Sequence, residues 1–521
     1  MYLINCKVKG VLVYNKFNSD EKGIIILMKK NYPDDSLTLH TDLYQINMAE
    51  AYWADNMHER KAVFELFFRK LPFGNGYAIF AGLERCLDYL KNFQFSESDL
   101  EYLQQDLGYR KDFIDYLRTL RFTGDVYSMV EGELVFPNEP IIRVETKLAE
   151  AQLVETALLN IVNYQTLIAT KASRIKQVVK DEVAMEFGSR RAQEMDAAIW
   201  GTRAAYIGGI EATSNVRAGK LFGIPVAGTH AHSLVQAYKS EYEAFHSYAK
   251  RHKDCVFLVD TYNTLKTGVP TAIKVAKELG DQINFIGIRL DSGDIAFLSK
   301  EARKMLDAAG FPNAKIIVSN DLDEYTILNL KAQGARVDSW GIGTKLITAY
   351  DQPALGAVYK IVSIENEQGV MEDTIKISST TEKVTTPGQK KLYRIIDKGN
   401  RKSQGDYITM HDEDPSHEER LKMFHPVHTF VSKFVTNFEA KDLHVKVIEA
   451  GEIVYENPSL PEIQAYAAEN LNLLWDEYKR SLNPEEYPVD LSQKCWDNKM
   501  RNIQEIKEME HQFIAQNGGA Y

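Results

Sequence analysis

VAMEFGSRR (183–191), IPVAGTHAHS (224–233), VFLVDTYNT (256–264), INFIGIRLDSGD (283–294), KIIVSNDLDE (315–324) and DSWGIGTKL (338–346) repeat one pattern. Each is an apolar run that closes on a polar or glycine-rich cluster, and a helical stretch follows. Unbroken apolar runs suit strands buried on both faces of a parallel sheet, with the intervening helices as crossovers. An α/β fold built on an irregular (β/α) TIM-like barrel is predicted, with a doubly wound open sheet as the alternative that periodicity leaves standing. In a barrel the loops after the strands gather at one rim, so the polar clusters would converge on one site.

Working outward, Lys147 to Phe187 contains neither glycine nor proline, and Ala151, Val154, Leu158, Ile161 and Val162 recur at three- and four-residue steps. That stripe predicts a long helix linking two domains. Upstream, Leu39 to Leu90 reads as helical, broken by a strand-like run at Val63–Phe68 and a turn at Pro72–Gly76, and 121–145 reads as a small antiparallel module. Downstream of Gly356, VYKIVSI, DTIKIS and KLYRII are strand-like, and a polar helical tail begins near Ser459. The expected division is a possible N-terminal extension at 1–27 with an alternative start at Met28, an N-terminal α+β domain at 28–146 and a barrel domain at 147–355. A C-terminal helical and strand layer at 356–521 would pack on both.

The whole chain bounds the function. Of its 521 residues 44% are hydrophobic and 26% charged, enough apolar material for a sizeable core. A net charge of -11 with no basic track argues against nucleic acid. Cys6, Cys86, Cys255 and Cys495 lack the paired spacing of a zinc site or a redox dithiol, which suits a reducing cytoplasm. No apolar run approaches the roughly 20 residues that cross a bilayer.

Four clusters carry candidate chemistry. In GIGT, Gly341–Thr344, glycines would let backbone amides approach a phosphate and Thr344 adds a hydroxyl; a purely structural turn is the alternative. In RLDSGD, Arg289–Asp294, two carboxylates follow a guanidinium, a set suited to ribose hydroxyls, to water on Mg²⁺ and to an anion; a capped helix with a surface ion pair is the alternative. EFGSRR, Glu186–Arg191, offers Phe187 to stack on a flat ring and arginines for a carboxylate or diphosphate, against core packing and a solvated face. GTHAHS, Gly228–Ser233, sets two histidines after a strand, where first-turn amides would favour a phosphoryl group. No further ligands at recognisable spacing support a metal there.

Together with TDLYQINMAEAYW from Thr41, FELFFRKLPFGNGYAIFAGLE from Phe64 and TEKVTTPGQKKLYR from Thr381, these stretches resemble the nicotinate phosphoribosyltransferases, in order, over about residues 38 to 400. The resemblance implies a homodimer with shared sites that couples ATP hydrolysis to the transfer of a phosphoribosyl group onto nicotinate. Phosphoribosyl pyrophosphate and ATP would be the other substrates, with Mg²⁺, and the product would feed NAD synthesis. It further implies that Tyr44, reaching across the dimer, and Phe187 sandwich the pyridine ring. Arg289 and Thr229 would hold nicotinate, and Arg190 the anionic substrate. Asp291 with Ser292 and Asp321 would hold the ribose end of phosphoribosyl pyrophosphate, Gly343 and Thr344 its 5-phosphate. His232 would be phosphorylated, with Asp291 beside it in the catalytic set, and no direct protein ligand of a metal is implied.

Related nicotinamide enzymes carry an aspartate where this chain has Ser214, in EATSNV. A carboxylate there would repel the nicotinate carboxylate, whereas a hydroxyl donates to it, so nicotinate is favoured over nicotinamide. The rivals are a nicotinamide phosphoribosyltransferase, a quinolinate enzyme with a denser basic pocket, and a non-catalytic barrel that binds a phosphorylated metabolite.

Overall fold

Six parallel strands, β1 (Val183–Glu186), β2 (Ala212–Thr213), β3 (Asp254–Leu258), β4 (Asn284–Leu290), β5 (Lys315–Asn320) and β6 (Ser339–Ile342), pair in the order β2-β1-β6-β5-β4-β3. A parallel bridge between Thr213 and Val226 adds a seventh position beyond β2. The last strand therefore lies beside the first and chain order runs once around the ring, as in a barrel; a doubly wound sheet would instead reverse direction part-way. The chain is described here from a computed structural model covering residues 36–380 and 383–516, so the expectations for 1–27 and Met28 fall outside the described residues.

Strand alternation explains the barrel's two faces. Met185, Ala212, Val256 and Ile317 pack with Phe187, Ala227 and Ile286 in a small interior cluster. Their sequence neighbours Ala184, Phe257, Ile316 and Val318 point the other way, with Ile288, Leu290, Trp340 and Ile342, into the main core shared with the helices. One seam is different. Between the Val226 segment and β3 no backbone ladder forms among the described residues, and the side chain of His230 crosses the gap, its Nε2 accepting the Leu258 N–H at 3.2 Å.

The linking helix is two helices, Leu148–Leu153 and Glu155–Val179, joined at Val154. Its buried Lys171 and Arg174 reach Glu324, on the helix after β5, at 2.9 and 2.8 Å. A second, seven-stranded sheet is ordered Met371–Asp373, Val358–Glu365, Lys61–Phe67, Ile142–Lys147, Asp125–Ser128, Val445–Glu449 and Glu452–Ile453. The module expected at 121–145 is thus the middle of a larger sheet, and Leu134–Val135 leaves it to pair with Ala78–Ile79. Local alternation does not reveal partners some 300 residues away. Of DTIKIS only Asp373 lies in a strand. A four-stranded sheet of Phe438–Asp442, Lys390–Asp397, Ser403–Met410 and Val489–Leu491 completes the C-terminal part, whose helix Leu460–Leu473 rests on the helix Glu194–Ile207. Gln464 Nε2 donates there to the Tyr206 carbonyl at 2.6 Å. Among the described residues no helix is long and apolar enough to cross a membrane. Cys86, Cys255 and Cys495 are buried, unpaired thiols.

Candidate active site at the barrel rim

The parallel register sets the strand ends level: Leu258 beside Arg289, Arg289 beside Ile317, Ser319 beside Gly341 and Glu186 beside Thr213. Inward-pointing residues from four strands therefore meet. Arg289 is their hub, donating from Nε to Ser319 Oγ at 2.8 Å, from one Nη to Thr229 Oγ1 at 3.1 Å and from the other to Asp291 Oδ1 at 2.9 Å. Its guanidinium lies 5.8 Å from the centre of the Phe187 ring. Burial pushes the Asp291 carboxyl up, but the Ser319 hydroxyl and the Arg289 guanidinium outweigh it and hold the group below the usual carboxylate range. Asp294, the second acid of RLDSGD, takes the plainer role weighed for it: it caps the helix Ile295–Ala308, accepting the Phe297 N–H at 3.0 Å.

His232 opens the helix His232–Ala237, and its Nδ1 lies 3.0 Å from Thr261 Oγ1. Its Nε2 faces two carboxylates, Asp291 Oδ2 at 3.8 Å and Asp260 Oδ1 at 4.0 Å. Asp260 is almost wholly buried. Its Oδ2 accepts the backbone N–H of Asp291 at 2.9 Å and the Ser292 hydroxyl at 2.6 Å, while Oδ1 has no hydrogen-bond partner. A buried carboxylate oxygen without a donor is costly unless a cation or proton donor comes to it. Among the described residues no group of three or more His, Cys, Asp or Glu side chains could hold a metal ion unaided. His230, the first histidine of GTHAH, is buried against Phe245 and Tyr248, and burial drops its pKa to about 4.

The remaining rim residues surround this centre. Phe187 donates its N–H to the Ile342 carbonyl at 2.7 Å, and its ring covers Gly341 so closely that a Cβ there would sit 2.5 Å from Cδ2. Glu186, pushed up by burial, accepts from Thr213 and Thr202 hydroxyls at 2.8 and 3.0 Å and from the Gly188 N–H, which anchors the EFGSRR loop. Ser214 follows Thr213, its N–H on the Glu186 carbonyl at 3.0 Å and its side chain exposed. Arg190 is exposed on the turn Ser189–Arg191 and pairs with no described acid. Gly343 caps the short helix Thr344–Ile347, and Lys345 of that turn reaches Asp323 at 2.8 Å, beside the exposed Asp321. Asn320, which delivers Asp321, has φ 125°, a conformation that costs a non-glycine residue about 1–3 kcal/mol. Tyr44 stands apart, 48% exposed on the helix Leu43–Ala54, and its hydroxyl meets Gln45 and Glu155 rather than any side chain of the Arg289 cluster.

The sequence pattern therefore places Thr229, Arg289, Asp291 and Ser292 in what proves a single hydrogen-bonded cluster, with His232 facing its acids at 3.8 and 4.0 Å and Phe187 against it. It misses Asp260, Thr261 and Ser319. Each had a signal: Asp260 and Ser319 are polar residues ending apolar runs two positions beyond the level of Arg289, where Asp291 ends its own, and Thr261 follows Asp260 directly.

The chain matches, in order, the sequence profiles of the nicotinate phosphoribosyltransferase N-terminal domain over residues 39–163, the nicotinate phosphoribosyltransferase family over 183–399 and its C-terminal domain over 389–499. It is 70% identical to the nicotinate phosphoribosyltransferase of Bacillus subtilis over 481 residues, covering 92% of this chain and 98% of that one. It is 37% identical to nicotinate phosphoribosyltransferase 2 of Arabidopsis thaliana, over 92% of this chain and 97% of that one. In three dimensions it superposes on the crystal structure of human nicotinic acid phosphoribosyltransferase with a TM-score of 0.79 at 29% identity, over 88% of this chain and 99% of that one.

Proposed function

The chain belongs to the nicotinate phosphoribosyltransferase family, and from that premise we propose how its barrel rim joins nicotinate to phosphoribosyl pyrophosphate. The observation that carries the reading is the guanidinium of Arg289, held by Thr229, Ser319 and Asp291 beside the ring of Phe187. A cation fixed next to an aromatic face suits a carboxylate borne on a flat ring. Nicotinate lies on Phe187 with its carboxylate toward Arg289, Thr229 and Ser214. The partial covering of Phe187 and the distance of Tyr44 from the barrel cluster fit a second copy of the chain lending its Tyr44 to the other face, hence a homodimer.

Arg190 meets the anionic substrate, Asp291, Ser292 and Asp321 hold the ribose side of phosphoribosyl pyrophosphate, and the Gly343–Thr344 turn holds its 5-phosphate. The ring nitrogen of nicotinate then displaces pyrophosphate at the anomeric carbon. A C–N bond forms, the C–O bond to pyrophosphate breaks, and positive charge passes through the ribose ring, where the Asp291 carboxylate opposes it. The carboxylates of Asp260 and Asp291 would steer, through water, a Mg²⁺ ion bound mainly by phosphate oxygens and water, while Asp260 Oδ1 and Asp291 Oδ2 themselves face His232 Nε2. Such an ion would neutralise charge on the pyrophosphate.

ATP is the co-substrate. His232 with its proton on Nε2, toward the two acids, presents the Nδ1 lone pair that otherwise accepts from Thr261. Nδ1 attacks the γ-phosphorus, the N–P bond forms, the P–O bond to ADP breaks, and Asp260 and Asp291 balance the resulting imidazolium. Water later releases phosphate. The unpaired thiols suit the reducing cytoplasm as its location.

The test is product formation from phosphoribosyl pyrophosphate with nicotinate or nicotinamide, each with and without ATP and Mg²⁺, in the wild type and His232→Ala. Nicotinate mononucleotide formed with ATP stimulation that His232→Ala lacks is the expected result. Preference for nicotinamide would overturn the Ser214 assignment, and undiminished stimulation in His232→Ala the role of that histidine.

A further inference from the structure

The barrel has one seam without a backbone ladder among its described residues, and His232 lies on one side of it while the residues that face its ring lie on the other. On one side the segment after Val226 carries Thr229, His230 and His232; on the other, β3 runs into Asp260 and Thr261. The side chain of His230 crosses that seam, its Nε2 accepting the Leu258 N–H at 3.2 Å two residues before Asp260.

We infer that His230 is a positioning residue for His232: its Nε2 fastens the loop bearing His232 to the strand bearing Asp260 and Thr261, where backbone pairing cannot. The ring is suited to this. It sits in an aromatic slot formed by Phe245 at 5.6 Å and Tyr248 at 5.1 Å between centroids, both on the helix Glu241–Ala249, so its direction is set by packing. Its Nδ1 lies 3.4 Å from the Ala231 carbonyl, which keeps the proton on Nδ1 and leaves Nε2 as an acceptor. Burial, which holds the ring neutral, preserves that acceptor at working pH. Everywhere else around the ring, strand pairing sets the spacing of the rim residues. Across the seam to β3 itself this bond and the contact between His232 and Thr261 do so among the described residues, alongside the reach of Arg289 on β4 to Thr229 at 3.1 Å, and a reacting pair tolerates little misplacement.

The inference rests on the reading of His232 as the phosphorylated residue, and the experiment separates the two. The full-length protein is incubated with ATP labelled at the γ-phosphate, and acid-labile label is followed in wild type, His232→Ala, His230→Phe and His230→Gln, alongside steady-state kinetics and circular dichroism. His230→Phe keeps the aromatic packing and loses the acceptor; His230→Gln offers Oε1 to the Leu258 N–H. His230→Phe is expected to fold and to label about tenfold more slowly, with kcat of the ATP-coupled reaction falling and KM for nicotinate little changed, while His230→Gln stays within about threefold of wild type. Label in His230→Phe at the wild-type rate, or equal losses in both His230 variants, would overturn the inference. Loss of the fold in His230→Phe would assign the residue to stability instead and overturn it too. Label persisting in His232→Ala would sink the phosphohistidine reading itself.

Discussion

Asp260 Oδ2 accepts the backbone N–H of Asp291 at 2.9 Å, which docks the loop after β4 onto a carboxylate delivered by β3. The same carboxylate turns its other oxygen toward His232. Scaffold and charge are therefore separable. Asp260→Asn keeps an acceptor for the Asp291 N–H but removes the negative charge about 4 Å from the imidazole, an interaction of order 1–3 kcal/mol in a largely buried setting. ATP-stimulated turnover is expected to fall about 10- to 100-fold. Wild-type coupling in Asp260→Asn, measured as phosphate released per nicotinate mononucleotide formed, would contradict this.

Arg289 uses three separate nitrogens on three oxygens. Lysine has one point charge and cannot reproduce the fork. Arg289→Lys should raise KM for nicotinate by about 10- to 100-fold, equivalent to roughly 1.4–2.8 kcal/mol. An unchanged KM in initial-rate measurements would remove Arg289 from the nicotinate site.

Gly341 faces the Phe187 ring with no room for a methyl group. Gly341→Ala must displace the ring, with about 1–3 kcal/mol of overpacking. Both the melting temperature and nicotinate affinity should drop; calorimetry that shows affinity intact despite the lost stability would mean the ring does not bear on the ligand.

His230 predicts an acid-side loss of stability. Burial, with the Arg289 and His232 charges in the same direction, lowers its folded pKa to about 4 from the ordinary 6.5. The unfolded chain thus takes up a proton between those values that the native state refuses, and native stability is full above about pH 6.5 and declines as pH falls toward 4. The decline attributable to His230 is of order 3 kcal/mol. Urea midpoints for wild type and His230→Gln from pH 7 to 4.5 should converge as pH falls; parallel curves would count against a neutral buried ring.

Arg394, wholly buried, joins Asp406 at 2.7 Å within its own sheet and also pairs with Glu133 from the N-terminal part. Removing it leaves two acids in the interior without this counter-ion, a loss of about 3–5 kcal/mol. Arg394→Ala is expected to lower thermal stability sharply while any folded fraction keeps a normal KM; a melting temperature within a degree or two of wild type would show that the acids find other partners.

Much of the site is legible in the sequence. Arg289, Asp291, His232 and Phe187 stand at or just beyond the ends of apolar runs, where the strand pattern breaks into polar residues, and that break is local. Asp260 and Ser319 sit at the same kind of boundary yet do not stand out, because a single polar residue at a strand end acquires meaning only from its neighbour across the barrel. Tyr44 shows the opposite limit: within one chain it touches none of the barrel cluster, so its assignment to the site still rests on resemblance.

Short-range pattern carries the alternation of apolar strands and helices, the polar content of each rim loop and the order of motifs that marks the family, and all of these can be read along the chain. Adjacency belongs to the tertiary fold alone. Chain order could not say that β6 lies beside β1, that a sheet takes strands from both halves of the chain, or that His230 bridges the seam opposite Asp260 and Thr261. Those contacts join residues from about 30 to more than 300 positions apart, and their energies depend on packing and burial that exist only once the chain has closed on itself.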